Sequence, residues 1–253
     1  MAKPILPALA VMLGLAVALP VNASETPKPA SHGWSFNGIF GEFDRASLQR
    51  GFQVYKEVCA SCHSIRLVSY RNLAALGYSE KEIKAIAAEY EVTDGPNDEG
   101  EMFQRKAKPS DRFVKPFPND QAARAANNGA LPPDLSLMTK ARPHGTDYVY
   151  ALMTGYEDAP KGVKVPEGTY YNSAFRGGLI AMLPPLSKDA VTYADGTPAT
   201  VERLAEDVTT FLAWVAEPEM EERKQLGIKV MLFLLVFTGL LYALKRKIWA
   251  DLH

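Results

Sequence analysis

The sequence predicts a mostly α-helical domain with long loops, followed by one C-terminal transmembrane helix. Three observations lead to this prediction: apolar residues recur at helical spacing in several segments, glycine and proline crowd the stretches between them, and an unbroken apolar run lies near the C-terminus. The 253 residues, 47% of them hydrophobic, suffice for one sizeable domain but are short for two. The formal net charge of -1 gives no indication of nucleic-acid binding.

A short apolar stretch begins the chain, from Ile5 to Leu19, and Val21-Asn22-Ala23 follows it. Small residues at the -3 and -1 positions predict a cleavable secretory signal over residues 1–23. An uncleaved anchor helix is the alternative, but three prolines frame a span shorter than about 20 residues. The stretch is not rich in arginine and serine, so export from a bacterial cytoplasm is favoured over mitochondrial import.

Five helices are predicted between this signal and the C-terminal run, because each apolar pattern follows a residue that can cap an N-terminus. The capping residues are Asp44, Ser79, Asn119 or Asp120, Thr146 and Thr200. Glu82 completes a capping box with Ser79, and Pro218 interrupts the last helix. Residues 24–43 are predicted to form an irregular arm, 91–118 a long loop, and 156–200 loops with short strands.

The second apolar run, residues 226–245, predicts the transmembrane helix. About 19 residues at 1.5 Å each reach about 28 Å, close to the ~30 Å hydrocarbon core. Lys245-Arg246-Lys247 is typical of a membrane stop, which disfavours the alternative of a buried core helix. With the signal setting the orientation, residues 24–225 lie outside and 246–253 inside. The outer domain holds 23 Lys and Arg against 28 Asp and Glu, a net charge of -5.

The motif that carries chemistry is Cys59-Ala60-Ser61-Cys62-His63, which contains both cysteines of the chain. This spacing attaches haem c: two thiols one helical turn apart bond to the vinyl groups, and the imidazole of His63 meets the iron. A thioredoxin-like dithiol would need a strand before the helix, and a zinc site would need two further Cys or His ligands. We therefore predict one covalent haem c.

The second axial ligand is sought among the methionines. Met182 lies in a glycine-rich loop that ends in two prolines, and the residue before a proline favours extended backbone. Such a loop can present a thioether opposite His63. Met102 and Met138 remain alternatives, whereas Met153 lies in a helical pattern and is expected in the core. His/Met ligation raises the potential, fills both axial positions and suits outer-sphere electron transfer.

Further segments resemble cytochrome c1, the haem subunit of ubiquinol–cytochrome c oxidoreductase (the cytochrome bc1 complex), in its bacterial type. They are Asp94–Phe103, Ala122–Ser136, Asp147–Val149, Leu152–Tyr156, Asp195–Thr200 and Phe211–Glu219. The resemblance covers nearly all of the mature chain. It implies a class I cytochrome c-like haem domain with long loop insertions, in which Met182 ligates the iron.

The resemblance also implies that Arg124 pairs with a haem propionate and that Phe175 packs at the haem edge. A surface helix arginine and an ordinary core aromatic are the alternatives. Some bacterial members carry an extra cysteine pair between the haem motif and the ligand loop. Because this chain has none, packing alone is expected to fix the Met182 loop.

The electron route implied by the resemblance runs from the Rieske iron–sulfur protein, through the haem, to a soluble cytochrome c. Cytochrome b and the Rieske protein are the implied partners, in a dimeric complex of the bacterial inner membrane with the haem domain in the periplasm. Quinol oxidation itself would belong to other subunits, so the chain alone is not expected to be an enzyme. Membrane lipid would surround the anchor.

An acidic stretch, residues 89–101, is predicted to dock the soluble cytochrome. It holds six acids and no Lys or Arg, a focused negative field for a basic partner. The six are Glu89, Glu91, Asp94, Asp98, Glu99 and Glu101. A merely solvated loop is the alternative.

Two other function classes stay open. A free-standing, membrane-tethered cytochrome c shuttle would share the haem and the anchor but would need a long flexible linker, whereas Glu217-Pro218 joins domain and anchor almost directly. A haem peroxidase or gas sensor would need an open sixth position, against which Met182 argues.

Overall fold

The computed structural model describes residues 28–250, and this part of the chain is mostly helical, as predicted. The predicted signal peptide and the last three residues of the predicted tail lie outside it. In chain order the elements are α1 (Arg45–Glu57), α2 (Glu80–Ala88), β1 (Glu91–Asp94), β2 (Phe103–Lys106), α3 (Asp120–Ala126), α4 (Met138–Ala141), α5 (Gly145–Thr154), β3 (Tyr170–Tyr171), β4 (Leu179–Ile180), α6 (Val201–Ala216) and α7 (Met220–Trp249). Two 3-10 helices span Cys59–Ser61 and Tyr70–Leu76.

The predicted helix starts are confirmed where a capping side chain makes its bond. The side chains of Asp44 and Thr200 each accept a hydrogen bond from the first turn of α1 and α6. Ser79 and Glu82 form the predicted capping box: the Ser79 Oγ accepts from the Glu82 N–H at 3.3 Å, and the Glu82 carboxylate accepts from the Ser79 N–H at 2.7 Å. Only α5 differs, since its cap is His144, two residues before the predicted Thr146.

Helices α1 and α6 cross at the centre of the core. A Cβ at Gly51 would lie 2.0 Å from the carbonyl oxygen of Asp207, so this close approach requires glycine. The ring of Phe211 on α6 lies 5.7 Å from that of Phe52 and 5.6 Å from that of Tyr55 on α1, between ring centroids. All three aromatics are buried, and their packing fixes the direction in which α1 delivers the cysteine motif.

A buried ion pair fastens the same two helices. Asp207 is fully buried, and its carboxylate accepts from Ser47 Oγ at 2.7 Å and from Arg50 Nε and Nη2 at 2.8 and 3.0 Å. Arg50 also bonds Asp195 at 3.0 Å and lies 5.7 Å from the ring centroid of Tyr193. The hydrogen bond to Asp207 raises the pKa of Arg50 well above its usual range, so the guanidinium stays charged.

The prediction of an irregular stretch over residues 91–118 is wrong in part, because β1 and β2 form an antiparallel hairpin. Glu91 pairs with Lys106 at 3.2 Å and Asp94 pairs with Arg105 across the two strands. These strands show no apolar alternation, and charged cross-strand pairs hold them together. Hydrophobic periodicity therefore gives no signal for this hairpin.

The expectation that the six acids of residues 89–101 lack basic partners is wrong for three of them. Glu89 bonds Lys56 at 2.6 Å, and Glu91 and Asp94 form the pairs just described. Their partners lie outside the acidic stretch in sequence, where counting within the stretch misses them. Three acids at the hairpin turn are exposed and make no salt bridge within the described residues: Asp98, Glu99 and Glu101.

Two short elements were not predicted. The 3-10 helix Tyr70–Leu76 and the four-residue helix α4 are shorter than the segments in which a 3.6-residue period can be recognised. The first of them does carry local end signals, since the Ser69 N–H donates to Asn72 Oδ1 at 2.8 Å in a capping box and Gly77 ends the helix with a φ of 98°.

Helix α7 begins at Met220, six residues before the predicted span, and continues to Trp249. Its most apolar 18-residue window has a mean hydropathy of 2.1 and is not buried against the domain. Length and composition fit a membrane span, and it is the one such helix among residues 28–250. Only residues 217–219 separate it from α6.

The first turns of α7 belong to the domain. The Glu221 carboxylate accepts a hydrogen bond from the Phe43 N–H at 2.7 Å, and Lys224 Nζ donates to the carbonyl oxygens of Phe36 and Gly41 at 2.7 and 2.9 Å. Residues 28–43, the described part of the predicted irregular arm 24–43, are thus tied to the anchor helix. These contacts explain why α7 starts among charged residues, which an apolar window cannot reveal.

Replacing Asp207 with alanine should lower the free energy of unfolding by about 3–5 kcal/mol, because it leaves the Arg50 charge partly buried without its main partner. Chemical denaturation of the detergent-solubilised chain measures this loss. The control is Asp195→Ala, which removes a 45% exposed partner of the same arginine and should cost less than about 1 kcal/mol. Equal losses in the two variants would contradict a special role for the buried pair.

Candidate haem site

The cysteine motif follows α1 directly and is wound into a tight turn. The N–H groups of Cys62 and His63 both donate to the carbonyl oxygen of Cys59, at 3.1 and 2.9 Å. The two cysteines are free thiols and half-buried. Burial, with a smaller contribution from Cys62, raises the pKa of Cys59 to about 12, so that thiol is neutral at pH 7. The turn presents two thiols and an imidazole within five residues.

The imidazole of His63 is oriented by a backbone carbonyl. Its Nδ1 lies 2.8 Å from the carbonyl oxygen of Pro133. Because a carbonyl can only accept, Nδ1 carries the proton and Nε2 keeps its lone pair for a metal. Burial lowers the pKa of His63, which favours the neutral, ligating form. Tyr55, from the core, donates to the carbonyl of the same histidine at 3.2 Å.

The carboxylate of Asp134 holds two segments together: the residues that follow His63 and the segment that contains Pro133, whose carbonyl orients the His63 imidazole. It accepts from Ser64 Oγ at 2.6 Å, from the Arg66 N–H at 2.9 Å and from the Ser136 N–H at 3.0 Å. Burial raises its pKa, but hydrogen bonds from Arg66, Ser136 and Ser64 outweigh that effect and hold the pKa below its usual range. The proline carbonyl that bonds the imidazole lies one residue before this clamp.

Hydrogen bonds as well as packing hold the loop that carries Met182, so the expectation of packing alone is corrected. The hydroxyl of Tyr156 donates to the Met182 carbonyl at 3.0 Å. Asn172 is fully buried; its Nδ2 donates to the Leu152 carbonyl at 2.8 Å and its N–H donates to the Gly178 carbonyl at 2.8 Å. The pairing of β3 with β4 joins the two arms of this loop region.

Two further predicted site residues are Phe175, in a turn between β3 and β4, and Arg124, near the C-terminal end of α3. Phe175 is half-buried, and its carbonyl accepts from the Gly178 N–H at 2.9 Å. Arg124 is exposed, and its Nη1 donates to the Gly129 carbonyl at 2.9 Å, at the end of α3. These contacts leave the predicted roles at the haem edge and at a propionate as predictions.

The other candidate methionines lie elsewhere. Met138 and Met153 pack against the hydrophobic core, as predicted for Met153. Met102 is 60% exposed beside the hairpin turn. Met182 is half-buried in a loop held by specific hydrogen bonds, which favours it as the ordered thioether.

Residues 34–252 match the sequence model described as the Cytochrome C1 family. The chain belongs to the cytochrome c1 family. Cytochrome c1 of Rhodospirillum rubrum is 52% identical over 234 residues, which cover 86% of each chain. Cytochrome c1 1, heme protein, mitochondrial, of Arabidopsis thaliana is 56% identical over 220 residues, 87% of this chain and 71% of that protein.

A fused relative is among the similar proteins. Cytochrome b/c1 of Bradyrhizobium diazoefficiens is 53% identical over 248 residues, which cover 89% of this chain but 36% of that protein. The chain therefore spans about a third of this longer relative. Cytochrome c1 is a haem protein of electron transfer, so family membership implies a haem cofactor here.

The residues present fit a haem. Two free thiols and an imidazole with a free Nε2 are the donor set that haem c requires. Apolar side chains are also exposed beside both candidate ligands: Leu131, near the proline that orients His63, is 37% exposed, and Leu183, next to Met182, is 60% exposed. Exposed leucines beside the candidate ligands are what an apolar macrocycle would cover.

Sequence reasoning missed four residues that build this site: Pro133, Asp134, Tyr156 and Asn172. One local signal exists, since an aspartate two residues before Ser136 is typical of a turn closed by the aspartate side chain. The decisive contact of Asp134, to Ser64, spans 70 residues and has no local signature.

Replacing Asp134 with alanine should lower the free energy of unfolding by about 1–3 kcal/mol, since three hydrogen bonds are lost. The pKa of this carboxyl in the folded protein lies below its unfolded value of about 3.9. Its stabilisation is therefore complete above about pH 5 and is lost as the pH falls through the folded pKa. Denaturation of parent and variant between pH 3 and 7 measures this.

Asp134→Asn serves as the matched variant, because it keeps the shape and part of the acceptor capacity. We expect it to fall between parent and alanine variant at pH 7. A parent-to-alanine difference that stays constant down to pH 3 would contradict the charged clamp.

Proposed function

We propose that this chain is the haem-carrying, electron-transferring subunit of a quinol–cytochrome c oxidoreductase of the cytochrome bc1 type. The observation that carries the proposal is the five-residue turn in which Cys59, Cys62 and His63 meet, with the imidazole held by Pro133, in a member of the cytochrome c1 family. When bound, the haem supplies a reversible one-electron iron couple.

The chain's own residues would hold that group rigidly. Cys59 and Cys62 would bind it covalently as one haem c, and His63 and Met182 would ligate the iron. The hydrogen bonds of the imidazole to Pro133 and of the ligand loop to Tyr156 keep both ligands in place. Ligands that do not rearrange suit electron transfer, because little geometry changes with the charge.

Two more side chains complete the proposed site. Arg124 would pair with a propionate, since an arginine fork matches a carboxylate, and Phe175 would cover the haem edge. Phe175 precedes two glycines with positive φ, 82° and 76° at Gly177 and Gly178. A Cβ at Gly178 would lie 2.8 Å from the ring of Tyr171, so the turn that carries Phe175 packs tightly.

A fixed subunit is favoured over a tethered shuttle by the joint between domain and anchor. Three residues connect α6 to α7, and Glu221 and Lys224 bind the N-terminal arm. Arg45 adds an ion pair to Glu221 at 2.5 Å. A shuttle that swings between partners would need a flexible linker here. In the proposed complex the haem domain lies in the bacterial periplasm, beside cytochrome b and the Rieske protein of a dimeric assembly.

The hairpin turn between β1 and β2 is proposed as the docking surface for a soluble, basic cytochrome c. Asp98, Glu99 and Glu101 are exposed there, and residues 89–108 carry a net charge of -3 from six acids and three bases. Met102 and Phe103 are 60% and 43% exposed beside them. Apolar side chains rimmed by charge are typical of a transient interface.

Replacing Met182 with leucine should abolish the near-infrared band of sulfur–iron ligation, lower the midpoint potential and admit carbon monoxide, because leucine cannot ligate. Absorption spectra and redox titration of the purified complex measure these changes. Met138→Leu and Met102→Leu are the controls and should leave all three unchanged. If a control variant loses the band instead, the ligand is the methionine replaced in that variant and not Met182. Carbon monoxide binding by the parent would favour a sensor or peroxidase.

Neutralising Glu99 and Glu101 together, as Glu99→Gln/Glu101→Gln, should slow the second-order reaction with soluble cytochrome c several-fold at low salt. The difference should fade as the Debye length falls from ~30 Å at 0.01 M to ~8 Å at 0.15 M. Stopped-flow kinetics at several ionic strengths measure both effects, while electron arrival from the iron–sulfur protein should not change.

The charge-matched control is Glu219→Gln/Glu222→Gln, which removes two exposed acids at the membrane end of the domain. An equal effect of both pairs would indicate net charge rather than local docking. If the hairpin variant keeps the parent's rate and salt dependence, the hairpin is a solvated insert and the cytochrome docks elsewhere.

A further inference from the structure

A cleft of about 320 Å³ lies where the haem domain meets the anchor helix α7. Its walls come from the N-terminal arm, the α4–α5 connection, the end of α6 and the first turns of α7. Four charged residues line it: Lys140, Arg223, Lys224 and Glu217. With His144 on the same wall counted as neutral, three cations and one carboxylate give the cleft a charge of +2.

One carboxylate, that of Glu217, bridges two of these cations and cannot neutralise both. It lies 2.5 Å from Lys140 Nζ and 2.7 Å from Arg223 Nη1. Its side chain is 22% exposed, whereas those of Lys140 and Arg223 are 52% and 61% exposed. The acid is thus recessed and the two cations face solvent, with most of their N–H donors unused in this contact.

The cleft lies at the depth of lipid headgroups if α7 spans the membrane. Arg223 precedes Leu226, the first exposed leucine of the apolar span, by three residues, or about 4.5 Å along the helix. The headgroup layer on each side of a bilayer is about 5–8 Å thick. Arg223 and the adjacent Lys224 therefore fall within that layer.

An apolar face of α7 continues below the cleft. Gly227, Val230 and Leu234 follow Arg223 at four, seven and eleven residues, which places them on the same face of the helix. Val230 and Leu234 are 44% and 46% exposed, and a Cβ at Gly227 would meet no atom within 4 Å. A ligand with an anionic head and acyl chains would satisfy the cleft and this face together.

We propose that the cleft binds the phosphate headgroup of an anionic phospholipid from the outer leaflet. The guanidinium of Arg223 matches a phosphate with two parallel hydrogen bonds, and Lys140 adds a point charge across the cleft. The acyl chains lie along the apolar face of α7. The inference rests on α7 spanning the membrane, and the choice of the outer leaflet rests on the proposed periplasmic position of the haem domain. It does not depend on the electron-transfer chemistry.

The test titrates the full-length chain, purified in detergent, with dioleoyl phosphatidylglycerol and counts bound lipid by native mass spectrometry. Lys140→Gln/Arg223→Gln should weaken binding by roughly thirtyfold, since each basic residue near the surface contributes about a factor of five. Lys161→Gln, which removes an exposed cation outside the cleft, is the control and should bind like the parent. Unchanged haem spectra confirm that the variants are folded.

A second variant moves binding in the opposite direction. Glu217→Gln removes the carboxylate that competes for both cations, so it should bind phosphatidylglycerol more tightly than the parent. The proposal is overturned if the double variant binds as the parent does, if Glu217→Gln weakens binding, or if dioleoyl phosphatidylcholine binds equally well. Displacement of the lipid by an equal concentration of inorganic phosphate also overturns it, because the cleft would then be an anion site without lipid character.

Discussion

The crossing of α1 and α6 at Gly51 is the contact on which the rest of the structure depends. Because no side chain separates the helices there, the aromatic rings on either side interlock and the Arg50–Asp207 pair is shielded from water. The C-terminal end of α1 delivers Cys59, and the C-terminal end of α6 leads to α7. One close helix contact therefore sets both the position of the cofactor motif and the position at which the anchor helix α7 begins.

The elements that could be predicted from the sequence are those whose causes are local. Asp44, Ser79 and Thr200 cap helices through bonds to their own first turns, and apolar periodicity marks the buried faces. The β1–β2 hairpin was not predicted because cross-strand ion pairs, rather than alternating apolar residues, hold its strands together. The start of α7 at Met220 was not predicted because its first turns are charged, and contacts with the N-terminal arm hold those turns in a helix.

In the candidate site, too, the locally determined part could be predicted from the sequence and the part built by distant residues could not. The Cys59–His63 turn is contiguous, so the sequence predicts it fully. The residues that orient its parts are distant: Pro133 lies 70 residues from His63, and Tyr156 lies 26 residues from Met182. The acidic stretch was predicted as a whole, yet half of its charge is offset by Lys56, Arg105 and Lys106, which only the fold brings near.

Because the joint between α6 and α7 is short, the tilt of α7 in the membrane also determines the orientation of the haem domain. A helix whose apolar length exceeds the local bilayer thickness tilts to fit, and here no flexible segment absorbs that tilt. With the arm bound to Lys224, the whole domain would rotate with the helix as one body. A tilt of about 10° would displace a point about 30 Å above the bilayer by roughly 5 Å, so lipid composition can set the lateral position of the haem domain above the membrane.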